Sequence, residues 1–312
     1  MKKELLLKLG LEIIEEVSTE IKKYARHNPL GGYIGRKGSG GDQIKIGDYI
    51  SEKGVAKVLA RQIKRKKFDY IILISEEMGV TEFGKLNSAS KSIFIILDPV
   101  DGSNNMRSWV VPSCFVGISV ALGELGNINK YANLDAVEVG IVKDIFHDDI
   151  FYAIKSKGAF FLRDNKKQRI KSSPETDLHK SLVGISIDRF GEKFDKILTR
   201  LLPLLREKYC QRRIGSTVLD LVKVASGEWD GYVSLSSGVK IHDIAAVRLI
   251  IIEAGGVFKE KEVKGLSQNG VYLKELIKTK NPKIIEEIGF MVVACGNKSF
   301  YKRASKILKG SF

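Results

Sequence analysis

Residues 94–105 read FIILDPVDGSNN. An apolar run ends in two aspartates, Asp98 and Asp101, followed at once by Gly102, Ser103 and two asparagines. Like charges held so close repel, most strongly where water is partly excluded, so the pair calls for a cation. Oxygen ligands suit a hard ion such as Mg2+, and the Val100 carbonyl offers one more oxygen. Pro99 fixes its backbone angle, which helps the two carboxylates converge. Gly102 lets the backbone approach a ligand closely. A helix starting after Ser103 would turn its N–H groups to the same point and cradle a phosphate. On its own, the motif also fits an Asx-type turn leading into a helix cap.

Two further acidic positions invite the same question. Glu76 and Glu77 close the apolar run DYIILIS. Neighbours along a strand face opposite sides, so a site draws mainly on one of them. Alone, the pair also reads as a solvated acidic turn. Asp243, in KIHDIAA, stands just before an apolar helical run. It fits an N-terminal cap or a metal ligand, and its two oxygens can serve both. His242 beside it reads as a structural or supporting group rather than a ligand. Together, four carboxylates and one cradle match what two-metal phosphoester hydrolysis needs.

The elements that carry these residues follow from periodicity. Leu6, Leu9, Ile13, Val17 and Ile21 recur at helical spacing, so the N-terminus reads as an amphipathic helix ending near Tyr24 rather than a signal peptide. Seven glycines in the segment from His27 to Tyr49 predict a long functional loop or a plain surface insertion. A second helix is expected over 48–64. Strand-like runs follow in DYIILIS, SIFIIL, FVGISVAL, AVEVGIV, DIFYAIK and GAFFL. From about residue 180 strands and helices alternate, which predicts an α/β layer. The expected division is an α+β domain over 1–180, with an antiparallel sheet and the metal motifs. An α/β domain over 181–312 would supply the last carboxylate and the substrate contacts.

The chain has 312 residues, 44% hydrophobic and 29% charged, an ordinary soluble balance with room for a large core. Its formal net charge of +15 favours anionic ligands. The basic clusters RQIKRKK and NKKQRIK are short and lie in no nucleic-acid-binding pattern, so no nucleic-acid partner is expected. The apolar stretch around FVGISVAL is too short to span a bilayer. Three scattered cysteines predict neither a disulfide framework nor a zinc site and fit a reducing cytoplasm. A lean toward Ile, Lys and Glu with six prolines suggests a thermophile.

The motifs resemble those of the inositol monophosphatase and fructose-1,6-bisphosphatase superfamily, most closely the archaeal dual-activity enzymes. DPVDGS, preceded by SEE, matches the superfamily's Asp-Pro-Ile/Leu-Asp-Gly-Thr/Ser motif, and HDIAAVRLIIIEAGG its second one. Between them RRIGSTVLDLVKVASGEWDGY carries the Gly-Ser that precedes a helix. The resemblance implies a layered α-β-α-β-α sandwich, usually a homodimer. It implies a first Mg2+ held by Glu76, Asp98 and the Val100 carbonyl, and a second held by Asp98, Asp101 and Asp243. A third, weaker ion would lean on Glu76. Mn2+ could substitute and Li+ would inhibit. Gly102 and Ser103 would bind the phosphate. Asp48 would pair with the Ser103 hydroxyl to orient the attacking water, with Glu77 counted among the catalytic groups. Asp48 follows IKIG, where relatives have Thr-x-x-Asp, so Lys45 stands in the threonine's place. Asp48 also reads as a simple helix cap.

The reaction so implied is in-line attack of metal-activated water on a small phosphate monoester, without a phosphoenzyme. Ser236 stands where animal inositol phosphatases carry a substrate-binding glutamate, which loosens inositol specificity. Arg212, Arg213, Gly215, Ser216, Ser236 and Lys240 are the expected substrate contacts. The two arginines and Lys240 offer a place for a second phosphate, as in fructose 1,6-bisphosphate, or read as surface charges. MRSWVVPS departs from the family pattern, and Trp109 either reshapes the pocket or packs the core. Alternative readings are a phosphatase acting on 3′-phosphoadenosine 5′-phosphate or NADP, and a non-catalytic nucleic-acid-binding or regulatory relative.

Overall fold

In the structure, a computed structural model describing residues 3–26, 32–37, 43–86, 91–107, 115–187, 194–207, 210–264, 272–279 and 288–308, the N-terminal stripe forms one face of helix α1 (Lys3–Ala25). Leu6, Leu9, Ile13, Val17 and Ile21 are all buried. Helix α2 (Ile46–Lys64) packs beside α1 through Val55, Val58 and Leu59 and begins two residues earlier than expected. Part of the glycine-rich segment is a short antiparallel ladder of β1 (Tyr33–Lys37) and β2 (Gln43–Lys45), where a loop was expected. The rest of that segment, residues 27–31 and 38–42, lies outside the described residues.

The first large sheet holds β3 (Tyr70–Ser75), β4 (Gly79–Gly84), β5 (Ser92–Asp101), β6 (Gly117–Glu124), β7 (Val139–Asp144), β8 (Ile150–Ile154), β9 (Gly158–Arg163) and β10 (Lys166–Arg169). Its order is β10-β9-β8-β7-β6-β5-β3-β4, antiparallel throughout except for the β3–β5 pair. The second sheet holds β11 (Leu182–Ser186), β12 (Cys210–Arg212), β13 (Gly231–Val239), β14 (Val257–Lys264) and β15 (Gly289–Cys295) in the order β12-β11-β13-β15-β14. β10 and β11 thus belong to different sheets, and on that ground we propose a boundary near residue 180.

Alternation along the strands assigns the layers. Ile71, Leu73, Ile93, Ile95 and Leu97 face α1 and α2, while Tyr70, Ile72, Ile74, Phe94 and Ile96 face the opposite way. There they meet α5 (Thr217–Ala225) and α6 (Ile241–Glu253), which also contact Tyr232, Phe290, Val292 and Ala294 of the second sheet. The outer face of that sheet is covered by α4 (Phe194–Leu205) and α8 (Lys298–Ile307), with Leu201, Leu204 and Phe300 buried. The result is the expected α-β-α-β-α sandwich. α6 is apolar nearly all round because both its sides are covered. Burial of Ile244, Ile250 and Ile251 contributes roughly 2 kcal/mol each. The helix lies so close to the sheet that a Cβ on Gly140 of β7 would stand 2.5 Å from the Ala246 carbonyl oxygen. α3 (Asn127–Tyr131) and α7 (Tyr272–Thr279) complete the middle of the molecule, and α7 buries Leu273 and Leu276 there.

Candidate active site

β3 and β5 are parallel neighbours, with Ser75 opposite Leu97. The next residue of each chain is a carboxylate, so one sheet edge carries Glu76 and Asp98 together. The β5–β6 register then slips between Asp98 and Asp101, across Pro99, which has no N–H for the ladder. That irregularity brings a second carboxylate of the same strand to the same side. α6 crosses from the other sheet and presents Asp243 on its first turn. Asp98, Asp101 and Asp243 offer oxygens all within 4.8 Å of one another, and Glu76, Asp98 and His242 bring two carboxylate oxygens and a ring nitrogen equally close. Asp98 belongs to both.

Electrostatics tests whether this cluster fits divalent cations. Burial, and then the charges of Glu76, Asp101 and Asp243, push Asp98 well above the ordinary carboxylate range. Asp101 is pushed up to about 7 by burial and then Asp243, against hydrogen bonds that pull it down. Those bonds come from the Ser216 hydroxyl at 2.6 Å and the Val218 N–H at 2.8 Å, both to Oδ2. The Lys240 N–H similarly holds Asp243 Oδ2 at 2.6 Å, and the Val100 N–H holds Asp98 Oδ1 at 3.0 Å. The carboxylates are therefore clamped in a mutually repulsive array. Carboxylate oxygens in both trios, joined in one of them by a His242 ring nitrogen, fit metal cations, which would relieve the repulsion.

Beside the cluster lies the Gly102–Ser103 turn expected to cradle a phosphate. Gly102 has φ +84°, and Ser103–Arg107 form a 3-10 helix closed by the Asn105 N–H on the Gly102 carbonyl at 2.8 Å. The Asn105 side-chain amide donates to the Phe115 and Ile214 carbonyls, tying the cradle to the segment before α5. A Cβ on Gly102 would lie 3.0 Å from Ser216 Cβ and 3.1 Å from the Phe115 carbonyl oxygen. Gly102→Ala is expected to destabilise the protein by about 1–3 kcal/mol and to lower kcat/KM, checked by thermal melts and phosphate release.

A cavity of 420 Å³ opens over these groups. Glu76, Asp98, Val100, Asp101, Gly102, Ser103, Arg213, Gly215, Ser236, Lys240 and Asp243 line it, as do Asn104, Asn105 and His242. Other expected site residues lie elsewhere. Ser216 is fully buried and does not line this cavity; its hydroxyl donates to Asp101 and caps α5. Arg212 lines a neighbouring apolar cavity rather than this one. Glu77 sits past the strand end, and its charge acts on Glu52 of α2. Burial and Glu77 hold Glu52 up at about 7 against the Ser75 hydroxyl. Asp48 is buried at the start of α2 and raised to about 6 by burial, with Lys45 pulling it down.

The implied pairing of Asp48 with Ser103 is replaced by a lysine that reaches both. The Lys45 backbone N–H donates to Asp48 Oδ2 at 3.3 Å, and its ammonium donates to Ser103 Oγ at 2.7 Å. His242, expected as a supporting group, stands beside the cluster with its Nε2 3.7 Å from Asp243 Oδ1. Asn105 joins the site beyond the expected residues, and its place in DGSNN fits this turn role. Trp109 and most of MRSWVVPS fall outside the described residues.

The sequence matches the inositol monophosphatase family over residues 2–290. It is 33% identical over 262 residues to the fructose-1,6-bisphosphatase/inositol-1-monophosphatase of Methanothermobacter thermautotrophicus, covering 83% of this chain and 86% of that one. It is 31% identical over 273 residues to the bifunctional NADP phosphatase/NAD kinase of Methanococcus maripaludis, covering 82% of this chain but 43% of that longer protein. An IMPase of Thermotoga maritima shares the fold, with a TM-score of 0.64 over 99% of this chain and 98% of its own at 18% identity. The sequence match takes in every carboxylate of the cluster, and by it the chain belongs to the inositol monophosphatase family.

Proposed function

We propose that this phosphoric monoester hydrolase acts on small polyol phosphates, fructose 1,6-bisphosphate and inositol 1-phosphate, with Mg2+ as its ion. The carrying observation is the clamped array of Asp98, Asp101 and Asp243, with Glu76 beside it, against the Gly102–Ser103 cradle in one cavity. Divalent cations held there would lower the pKa of a water and offset charge on the leaving oxygen. The chain's own groups do the rest. Gly102 and Ser103 bind the phosphoryl oxygens. Asp48, raised by burial to about 6, takes the proton of the attacking water while the Ser103 hydroxyl orients it. Ser216 and the Val218 N–H keep Asp101 from turning away. Attack is in line, without a phosphoenzyme.

On the alcohol side, Arg213, Lys240 and Ser236 line the cavity and offer two cations and a hydroxyl to a polar, doubly phosphorylated substrate. Arg213→Ala is expected to raise KM for fructose 1,6-bisphosphate about tenfold, with a smaller change for inositol 1-phosphate, measured by steady-state kinetics.

A second reading has its own support. Arg213 also lines the adjoining apolar cavity formed by Ile185, Ile187, Leu198, Leu201 and Leu205, a surface suited to a planar base. A relative named as an NADP phosphatase fits that reading. A phosphate-release panel in Mg2+ over both polyol phosphates, NADP and 3′-phosphoadenosine 5′-phosphate separates the two. A kcat/KM highest for a polyol phosphate upholds the first; one highest for a nucleotide replaces it.

A further inference from the structure

Lys45 occupies the residue just before α2, where a side-chain oxygen normally caps the helix. Lysine has no acceptor, and the helix start carries no side-chain cap. Asp48 answers the Lys45 backbone N–H from within the first turn. The long side chain instead leaves the helix and crosses to the 3-10 turn that follows Gly102. There its ammonium donates to Ser103 Oγ at 2.7 Å and to Asn104 Oδ1 at 3.0 Å. Both acceptors line the 420 Å³ cavity. The chain thus forgoes a helix cap and orders a flexible cation to reach the cradle, a pattern that local stability does not explain.

Two consequences follow from the geometry. An ammonium donating to Ser103 Oγ occupies a lone pair of that oxygen, so the hydroxyl hydrogen must point elsewhere. Ser103 is thereby set as a donor whose hydrogen points away from Lys45. The ammonium also stands as a fixed positive charge among groups that line the cavity, where a phosphate dianion would enter.

We propose that Lys45 is a positioning residue of the phosphate cradle, aiming the Ser103 hydroxyl and adding a permanent positive charge beside the incoming phosphate. The inference rests on the phosphatase reading above. It is tested on the full chain by titrating inorganic phosphate calorimetrically in Mg2+ buffer at two KCl concentrations. Steady-state hydrolysis of fructose 1,6-bisphosphate and inositol 1-phosphate runs alongside. Lys45→Gln is expected to raise the phosphate Kd and the substrate KM about tenfold, and to lower kcat about threefold or more because the Ser103 hydroxyl it aims orients the attacking water. Its phosphate binding weakens less with added salt than the parent's. Lys45→Arg keeps the charge and restores both constants to within about threefold of the parent. Lys45→Thr regains a capping oxygen but no charge, so it melts no lower than the parent yet binds phosphate as weakly as Lys45→Gln. If the parent hydrolyses monoesters and Lys45→Gln and Lys45→Thr match it in Kd, KM and salt dependence, the role of Lys45 is overturned and the phosphatase reading stands. A parent that hydrolyses neither substrate and binds no phosphate overturns both.

Discussion

Asp98→Asn is expected to lower kcat by about a thousandfold or more while leaving the fold intact. Asp98 is the one carboxylate common to both ligand trios, so its loss weakens both places at once. Its removal should not unfold the protein, because the charge deleted is one that repels Glu76, Asp101 and Asp243. An amide of nearly the same shape keeps an oxygen that can still accept the Val100 N–H. The metal-free variant is therefore expected to melt at or above the metal-free parent. Phosphate release across a Mg2+ titration and a melt in EDTA check the two halves. Undiminished activity would dismiss Asp98 as a ligand, and a strongly lowered EDTA melting point would give it a purely structural role.

Withdrawing divalent ions is expected to invert the usual pH response of stability. Burial and then like charge raise Asp98 and Asp101 in the folded chain, Asp101 to about 7 from an ordinary 3.8. Glu52 is also raised, to about 7 from 4.5, mainly by burial. Between those values the folded state binds more protons than the unfolded one, so stability falls as pH rises toward 7. In EDTA the melting temperature should therefore be higher at pH 6 than at pH 8. Cation binding needs the deprotonated carboxylates, so the rise in melting temperature produced by Mg2+ should be larger at pH 8 than at pH 6. Asp101→Asn should flatten the EDTA profile. Scanning fluorimetry at the two pH values, with and without Mg2+, reads all of this. An EDTA melting temperature that climbs from pH 6 to pH 8 would contradict the array as described.

Several elements were plain in the sequence because a single face decides them. The α1 stripe and the buried runs of β3 and β5 each carry a periodic or continuous apolar signal. β10 and β14 carry no such signal, for the opposite reason. KKQR is wholly exposed and VFKEKEVK is dense in charge, as suits strands at the edges of their sheets. Their pairing comes from a neighbouring strand and not from any pattern of their own. α7 is a short helix inside a charged segment, and only its contacts reveal Leu273 and Leu276 as core.

The site divides along the same line. DPVDGS, SEE and HDIAA announce the chemistry, since closely spaced carboxylates followed by Gly-Ser make sense around cations and phosphate. Which oxygens meet depends on register. Glu76 and Asp98 are neighbours because β3 and β5 pair in parallel with Ser75 opposite Leu97, and the same register sends Glu77 away toward Glu52. Ser216, a substrate contact by its place in the chain, becomes a clamp on Asp101 because packing buries it completely. Lys45, a departure from the expected threonine, becomes a bridge to the cradle because α2 starts within a side chain's reach of Ser103. The sequence by itself determined the residue types and their local spacing, and through the motifs these form it determined the reaction class and the resemblance that implied the layered fold. Only the tertiary structure decided which side chains share one cavity and which merely support it. Contacts between residues more than a hundred positions apart are set by sheet register and helix packing, and no local pattern encodes those.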